Sequence, residues 1–276
     1  MKDQPAYILG HSAGELARLE LQGNYFKAIT RRVFEAAGIG PGMRVLDIGC
    51  GAGDVTLLAA ELVGSSGFVL GIDHAPEAVA GASARAASLG HRNVEFQASE
   101  VEDLPAGRPF DAIVGRFVLM HQGDPARTLR VAATHAKPGG IIAMVESHMR
   151  AMLPGVHSHP LSPTYDRIMG WMNKLLEAAG AHPDMGLRLR ATFIEAGLPS
   201  PSLSLETRVE GGADADIYRY TIDSLRSMRP MMAKLGIVSL TEAEVNALEA
   251  RLREEVLASG GVLASPPIAG AWCRRA

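Results

Sequence analysis

A short run of glycines flanked by two acids is the part of the sequence best suited to chemistry. The glycines are Gly49, Gly51 and Gly53, and the acids are Asp47 and Asp54. Glycines let a backbone approach a ligand closely, and a helix that begins after such a turn offers unpaired N–H groups. A dinucleotide-binding turn would place its third glycine one residue later, where this chain has Asp54. Because an acid there would repel a pyrophosphate, the loop favours a ligand that carries an ammonium or sulfonium charge.

Two further acids follow the next two predicted strands. Asp73 comes directly after the strand at 68–72, and Glu100 follows the strand at 94–97. An acid at the end of the second strand of a doubly wound sheet accepts hydrogen bonds from ribose hydroxyls. Glu100 could accept a hydrogen bond from an adenine amino group. Asp73 alone is compatible with either a nicotinamide or an adenosyl cofactor.

Short apolar strands and helices alternate along the segment that must position these residues. Such alternation predicts βαβ units and a parallel sheet with helices on both faces. The Lys-Pro-Gly-Gly segment at 137–140 is expected to end a helix and to direct the next strand. The predicted strands are 43–48, 68–72, 94–97, 110–114 and 141–145, and the predicted helices are 54–62, 76–89 and 125–136.

Helical patterns flank this core on both sides. Thr241 and Glu244 have the spacing of a capping box at the start of a helix. Several methionines lie in the flanking helices, where they fit a small-molecule pocket or an ordinary core about equally well: Met172, Met185, Met228, Met231 and Met232. We predict a single domain, 1–276, with a helical cap at 1–40, a core at 42–147, helical insertions at 148–186 and 210–261, and strands at 202–209 and 268–273.

Charge and composition exclude several classes of protein. There are 27 Lys and Arg against 30 Asp and Glu, so no basic surplus favours binding to nucleic acid or to an anionic membrane. No apolar run approaches the ~18 residues that a membrane span needs, and the first residues lack the apolar segment of a signal peptide. Cys50 and Cys273 cannot form a disulfide framework. These features predict a soluble, cytoplasmic protein with no nucleic-acid or membrane partner.

The motifs as a set resemble those of class I S-adenosylmethionine (SAM)-dependent methyltransferases. The resemblance is strongest to the branch that acts on small molecules, including enzymes of ubiquinone and menaquinone biosynthesis. It implies a Rossmann-like, seven-stranded, mostly parallel sheet with helices on both faces, an antiparallel last strand and helical lid insertions. It also implies SAM as cofactor and S-adenosylhomocysteine (SAH) as product. The motifs lie at 45–56, 71–79, 99–105, 110–121 and 137–140.

The resemblance also assigns roles to individual residues. The loop from Gly49 to Gly53 would lie under the methionine part of SAM, and Asp47 would orient that loop and the ammonium group. Asp73 would hold the ribose. The adenine of SAM would contact His74, Glu100 and Val101. The methionine end of SAM would lie near Arg116.

Two histidines are candidate general bases. His121 follows the fourth strand at the edge of the expected pocket, and His148 follows the fifth strand at the same end of the sheet. An imidazole titrates near neutral pH, so either could accept a proton from a nucleophile, although either could instead be a packing residue. Cys50 fits a small packed residue better than a catalytic thiol, because no base is paired with it. No metal site is expected, since the histidines at 157 and 159 lack a third ligand.

The favoured function is methyl transfer from SAM to an O, N or C atom of a small, partly apolar molecule, such as a secondary metabolite or a quinone-like compound. The first alternative is an RNA or protein methyltransferase, although the neutral-to-acidic charge argues against RNA. A non-catalytic SAM-binding module is the second alternative. A nicotinamide-dependent dehydrogenase is disfavoured by Asp47 and Asp54. The sequence leaves the oligomeric state open, with a homodimer as one expectation.

Overall fold

The computed structural model describes residues 13–105, 107, 109–151 and 155–276. Its strands are β1 (Arg44–Ile48), β2 (Phe68–Asp73), β3 (Val94–Ala98), β4 (Phe110–Arg116), β5 (Ala136–Ser147), β6 (Ser158–His159), β7 (Ser202–Glu206), β8 (Val209–Glu210), β9 (Val262–Ala264) and β10 (Ile268–Arg274). Its α-helices are α1 (Ala13–Ala37), α2 (Asp54–Val63), α3 (Pro76–Ser88), α4 (Pro125–Thr134), α5 (Pro163–Ala178), α6 (Met185–Glu195), α7 (Asp216–Lys234) and α8 (Glu242–Ser259).

The main sheet has seven strands in the order β3-β2-β1-β4-β5-β10-β7. Strands β1 to β5 pair in parallel, whereas β10 pairs antiparallel with both β5 and β7. The prediction of a mostly parallel, seven-stranded sheet with an antiparallel last strand is therefore confirmed. Central strands such as β1 and β5 are nearly continuously apolar because helices cover both faces of the sheet.

The Lys-Pro-Gly-Gly segment does not precede the fifth strand, as the sequence suggested, but lies within it. Helix α4 ends at Thr134, and β5 already begins at Ala136. Between the pairs Phe110–Ala136 and Ala112–Ile141 the register shifts, so β5 has more residues than β4 over this stretch. The extra residues form an irregular, partly exposed bulge in which a proline without an N–H is tolerated.

Three features of the flanks differ from the sequence-based expectation. Helix α6 was not predicted, and neither was a second sheet with the strand order β6-β9-β8. The strand expected at 202–209 divides into β7 and β8. The division occurs because Thr207 and Arg208 turn away to bond with Ser265: the Thr207 hydroxyl donates to the Ser265 carbonyl at 2.6 Å, and the Arg208 N–H donates to the Ser265 hydroxyl at 3.1 Å.

Helices from distant parts of the chain lie over the carboxyl ends of the strands. Helix α1 packs against α7, and the rings of Tyr25 and Tyr220 stack there with centroids 4.4 Å apart. The guanidinium of Arg208 lies over the Tyr25 ring, 3.9 Å from the ring centroid. The predicted capping box at Thr241 and Glu244 is confirmed at the start of α8. Among the described helices, none is long and apolar enough to span a bilayer.

Candidate cofactor and acceptor site

One cavity opens at the carboxyl ends of the parallel strands, which is where sheets of this kind bind ligands. Its walls come from the loop after β1, the ends of β2, β4 and β5, and helices α1, α5 and α7. It brings together many of the predicted site residues: Gly49, Gly51, Asp73, His74, Glu100, Arg116 and His121. Asp47, Gly53, Val101 and His148 are not part of its lining.

The loop after β1 presents its backbone to the cavity. Gly49 has a φ of 64°, and a Cβ at this position would lie 2.7 Å from Cγ2 of Val118. Only glycine therefore fits between this loop and the segment after β4. The Cys50 N–H donates to the Ile72 carbonyl at 2.8 Å, which fastens the loop to the end of β2. The loop is thereby held against the sheet at this part of the cavity, where Gly49 itself carries no side chain.

Asp73 holds the same loop from the end of β2 and also faces the cavity. Its Oδ2 accepts a hydrogen bond from the Gly51 N–H at 2.9 Å, and its Oδ1 accepts one from the Ala75 N–H at 3.0 Å. The Nδ1 of His74 lies 3.3 Å from Oδ1. Because each carboxylate oxygen can accept a second bond, Asp73 can still receive hydroxyl donors from a ligand.

Glu100 lines the cavity near His74 and Asp73, directly before a short helical turn at Val101–Asp103. Partial burial raises the pKa of its carboxyl above the ordinary value. Val101 is buried behind it and not exposed to the cavity. Glu100 is thus an acceptor on the same side of the cavity as His74 and Asp73.

The two acids that flank the glycines already have partners inside the protein. Asp54 lines the cavity, but its Oδ1 forms an ion pair with Arg85 at 2.7 Å. Asp47 is fully buried beneath the loop, where its Oδ2 accepts a hydrogen bond from the Thr56 hydroxyl at 2.6 Å. Burial raises the pKa of Asp47 to about 7, although Thr56 and the nearby Arg116 favour the charged form. Both acids therefore support the loop, and neither is a free anion in the cavity.

Arg116, at the end of β4, is a cation that faces the cavity without an anionic partner. Among the described residues, no carboxylate lies within ion-pair distance of its guanidinium, which donates to the Thr30 hydroxyl at 3.2 Å. Burial lowers its pKa, and the nearby Asp54 and Asp47 oppose that shift. An arginine fork in such surroundings is suited to a carboxylate of a bound ligand.

Glu146, near the end of β5, is a buried carboxylate that the sequence analysis missed. Its Oε1 accepts the N–H groups of Val118 at 3.0 Å and Leu119 at 2.7 Å, and its Oε2 accepts that of Met120 at 3.4 Å. It thereby holds the segment after β4, which begins with Phe117 in the left-handed region at φ 57°. The available signal was an acid interrupting an otherwise apolar strand, since such a charge needs dedicated donors.

The two candidate bases occupy different places. His121 lies in the segment held by Glu146 and contributes to the cavity wall. His148 lies behind that wall, where its backbone N–H donates to the Pro267 carbonyl at 2.8 Å. Its Nδ1 is buried without a hydrogen-bond partner among the described residues. Of the two imidazoles, only that of His121 can reach a ligand in this cavity.

Part of the cavity lining, here called the methionine wall, is apolar and rich in methionine. Of the five methionines noted in the sequence, Met172 and Met228 line the cavity, Met185 and Met232 are buried in the core, and Met231 packs against the core. The other methionines of the lining come from the segments after β4 and β5 and from α5. The methionine wall consists of Met120, Met149, Met169, Met172, Leu176 and Met228.

The donors and acceptors of the cavity fit SAM. Asp73 can take the ribose hydroxyls, Glu100 can take an amino group at the far edge, and Arg116 can take a carboxylate at the opposite end. The Gly49 turn leaves the space that a Cβ would otherwise fill. No set of three His, Cys, Asp or Glu side chains with metal-binding geometry occurs among the described residues.

Comparison with known proteins agrees with this fit. A model described as a methyltransferase domain matches residues 39–179. Aklanonic acid methyltransferase DauC from Streptomyces sp. (strain C5) is 34% identical over 152 residues, which cover 54% of this chain and 68% of that protein. A ubiquinone biosynthesis O-methyltransferase from Xanthomonas campestris pv. campestris (strain B100) is 41% identical over 105 residues, which cover 37% of this chain and 42% of that protein.

Solved structures share the fold over most of the chain. A Bacillus halodurans C-125 protein, provisionally assigned as a methyltransferase, has a TM-score of 0.57 at 17% identity. The match covers 90% of this chain and 98% of that one. The family model, the relatives and the cavity agree, and the chain belongs to the methyltransferase domain family and is a SAM-dependent methyltransferase.

Proposed function

We propose that the enzyme methylates an O, N or C atom of a small, largely apolar organic molecule. The observation that carries this proposal is that one cavity contains both the polar cofactor groups and the methionine wall. A small molecule on that wall would lie beside the methyl donor without needing a surface groove. The relative DauC is named for methylating aklanonic acid, an organic acid, which supports the same class of acceptor.

Bound SAM supplies a methyl group that its sulfonium charge has already activated. The protein's own contribution is therefore to orient two reactants and to exclude water. Asp73 would bind the ribose, Glu100 the adenine edge and Arg116 the methionine carboxylate. Asp47 would act indirectly, by supporting the glycine loop from below through Thr56.

The helices over the cavity would serve as its lid. Helix α1 contributes Gln22, α5 contributes Met169 and Met172, and α7 contributes Tyr220 and Met228. These helices come from the predicted cap and insertions, outside the strand and helix repeats of the core. We infer that they determine which acceptor is bound, whereas the core determines the cofactor.

Arg116 offers a sharp test of where the methionine end lies. Replacing it by methionine is expected to weaken SAH binding by about tenfold or more, because a charge-assisted pair is lost. Binding of 5′-methylthioadenosine, which has no carboxylate, should be unchanged. Calorimetric titration of both ligands into wild type and R116M measures the difference. If R116M binds SAH and 5′-methylthioadenosine more weakly by the same factor, the carboxylate of SAH does not bind to Arg116.

His121 is proposed as the general base for an acceptor that arrives protonated. We expect H121A to lower kcat by about 10²-fold or more and to remove a limb of the pH–rate profile near neutral pH. H148A is the matched control, because His148 lies behind the cavity wall, and its kcat should stay near wild type. If both variants keep the wild-type kcat and profile, neither histidine is the base.

The proposed function can be tested with methyl-labelled SAM, purified enzyme and an extract of the source organism. Afterwards the extract is separated into small-molecule, RNA and protein fractions. Label in an organic-soluble small molecule supports the proposal and supplies the compound for identification. Label in RNA or in protein would contradict the proposal and show that the acceptor is a macromolecule of that class. SAM binding with no label in any fraction would favour a binding module.

A further inference from the structure

Helix α7 brings side-chain hydroxyls into the cavity lining next to the methionine wall. Four of its residues line the cavity along one helix face: Tyr220, Thr221, Ser224 and Met228. Ser224 is only 3% exposed, and its hydroxyl has no hydrogen-bond partner among the described residues. Thr221 lies one turn earlier, beside the phenol of Tyr165. The hydroxyl of Thr221, like that of Ser224, has no hydrogen-bond partner among the described residues, so α7 brings two such hydroxyls to the cavity lining.

The state of this hydroxyl is unusual for a serine within a helix. Such a side chain normally donates to the backbone carbonyl four residues earlier, which here belongs to Tyr220, but that bond is not formed. A buried polar group without a partner is unfavourable, and a ligand that supplies the partner removes that cost. Because Ser224 borders the cavity, a bound molecule can supply the missing partner.

We propose that Ser224 determines acceptor specificity by hydrogen-bonding an oxygen of an otherwise apolar, aromatic molecule. This inference rests on the proposed function and extends it to a substrate class: ring systems that carry a phenol, ketone or quinone oxygen. The methionine wall favours aromatic rings, because thioether sulfur makes favourable contacts with them and adapts to their outline. The serine hydroxyl both donates and accepts, so it matches each of these oxygen types.

The test compares two ligands of equal shape, 2-naphthol and naphthalene, on SAH-saturated enzyme. Dissociation constants are measured for wild type, S224A and S204A. The hydroxyl of Ser204 is likewise buried and without a partner among the described residues, but it lies on β7 outside the cavity, which makes S204A a matched control. We expect S224A to weaken 2-naphthol binding about three- to tenfold, with naphthalene unchanged, and S204A to change neither.

The possible outcomes separate this inference from the proposed function. An equal effect of S224A on both ligands, or on neither, overturns the role of Ser224. Failure of both ligands to bind an enzyme that binds SAH overturns the aromatic class and leaves methyl transfer standing. Failure to bind SAH contradicts both. The thermal midpoint of S224A should match wild type, since no internal bond is removed, and a marked drop would show that the hydroxyl has a partner within the protein.

Discussion

Replacing Asp73 by alanine is expected to abolish SAM binding while the protein remains folded. The carboxylate has two roles that alanine cannot fill. It accepts the Gly51 and Ala75 N–H groups, which fixes the loop after β1, and it provides the acceptor for the ribose. Loss of charge-assisted bonds to two hydroxyls, together with a loosened loop, should weaken SAH binding by at least about 10²-fold. Calorimetry measures the affinity, and circular dichroism checks the fold.

Asp111 provides a matched control for this variant. It lies near the start of β4, at the opposite end of the sheet, where it bonds to Lys137 at 2.7 Å and to the Arg44 N–H at 2.8 Å. Those interactions lower its pKa against the effect of burial. D111A should therefore lose some stability but retain SAH affinity. Tight SAH binding by D73A would refute the assignment of the ribose site.

The second large effect is expected at Glu146. Alanine at this position would leave the N–H groups of Val118, Leu119 and Met120 buried and without an acceptor. Each such orphaned group costs about 1–3 kcal/mol, so the free energy of unfolding should fall by about 3 kcal/mol or more. Methyl transfer should fall as well, because the segment after β4 shapes the cavity. Urea unfolding and single-turnover rates would measure the two losses.

The variant E146Q tests the effect of the Glu146 charge on stability, because glutamine has nearly the same shape but does not ionise. Burial raises the pKa of Glu146 to about 8 in the folded protein, above its ordinary value of 4.5. The folded state therefore binds more protons than the unfolded state between these values, and stability falls as pH rises through that window. E146Q lacks this ionisation, so its stability relative to wild type should improve from pH 5 to pH 8.5. A constant difference over that range would mean that the three N–H groups keep the carboxyl ionised.

Local patterns made the core of the fold predictable. The strand, turn and helix around Gly49 follow from residues adjacent in sequence, as does the capping box of α8. The two-residue strands β6 and β8 carry no such pattern, because they exist only through pairing with β9. Helix α6 was missed as well, although α2 and α3, which likewise carry no N-cap hydrogen bond, were predicted.

The residues of the candidate site were likewise predictable only where their role follows from neighbouring sequence. The glycine loop, Asp73 and Glu100 could be found because each directly follows a strand, and ends of parallel strands meet at one edge. Glu146 was visible only as an acid within an apolar strand; its role could not be predicted, because its partners lie 26 to 28 positions away and are backbone groups that leave no trace in the sequence. The pairing of Asp54 with Arg85 was hidden as well, since the two lie 31 positions apart.

The contacts that α1 makes with the C-terminal part of the chain have a consequence for synthesis on the ribosome. Arg208 reaches back 183 positions to the Tyr25 carbonyl, and β10, between β5 and β7, is made after both of its neighbours. A nascent chain thus displays the glycine loop and Asp73 long before the covering wall exists. Because contacts this distant in sequence form late, we expect tight retention of SAM only after α7 has been made and has packed against α1. Truncated translation products would hold the cofactor loosely and leave its methyl group open to water.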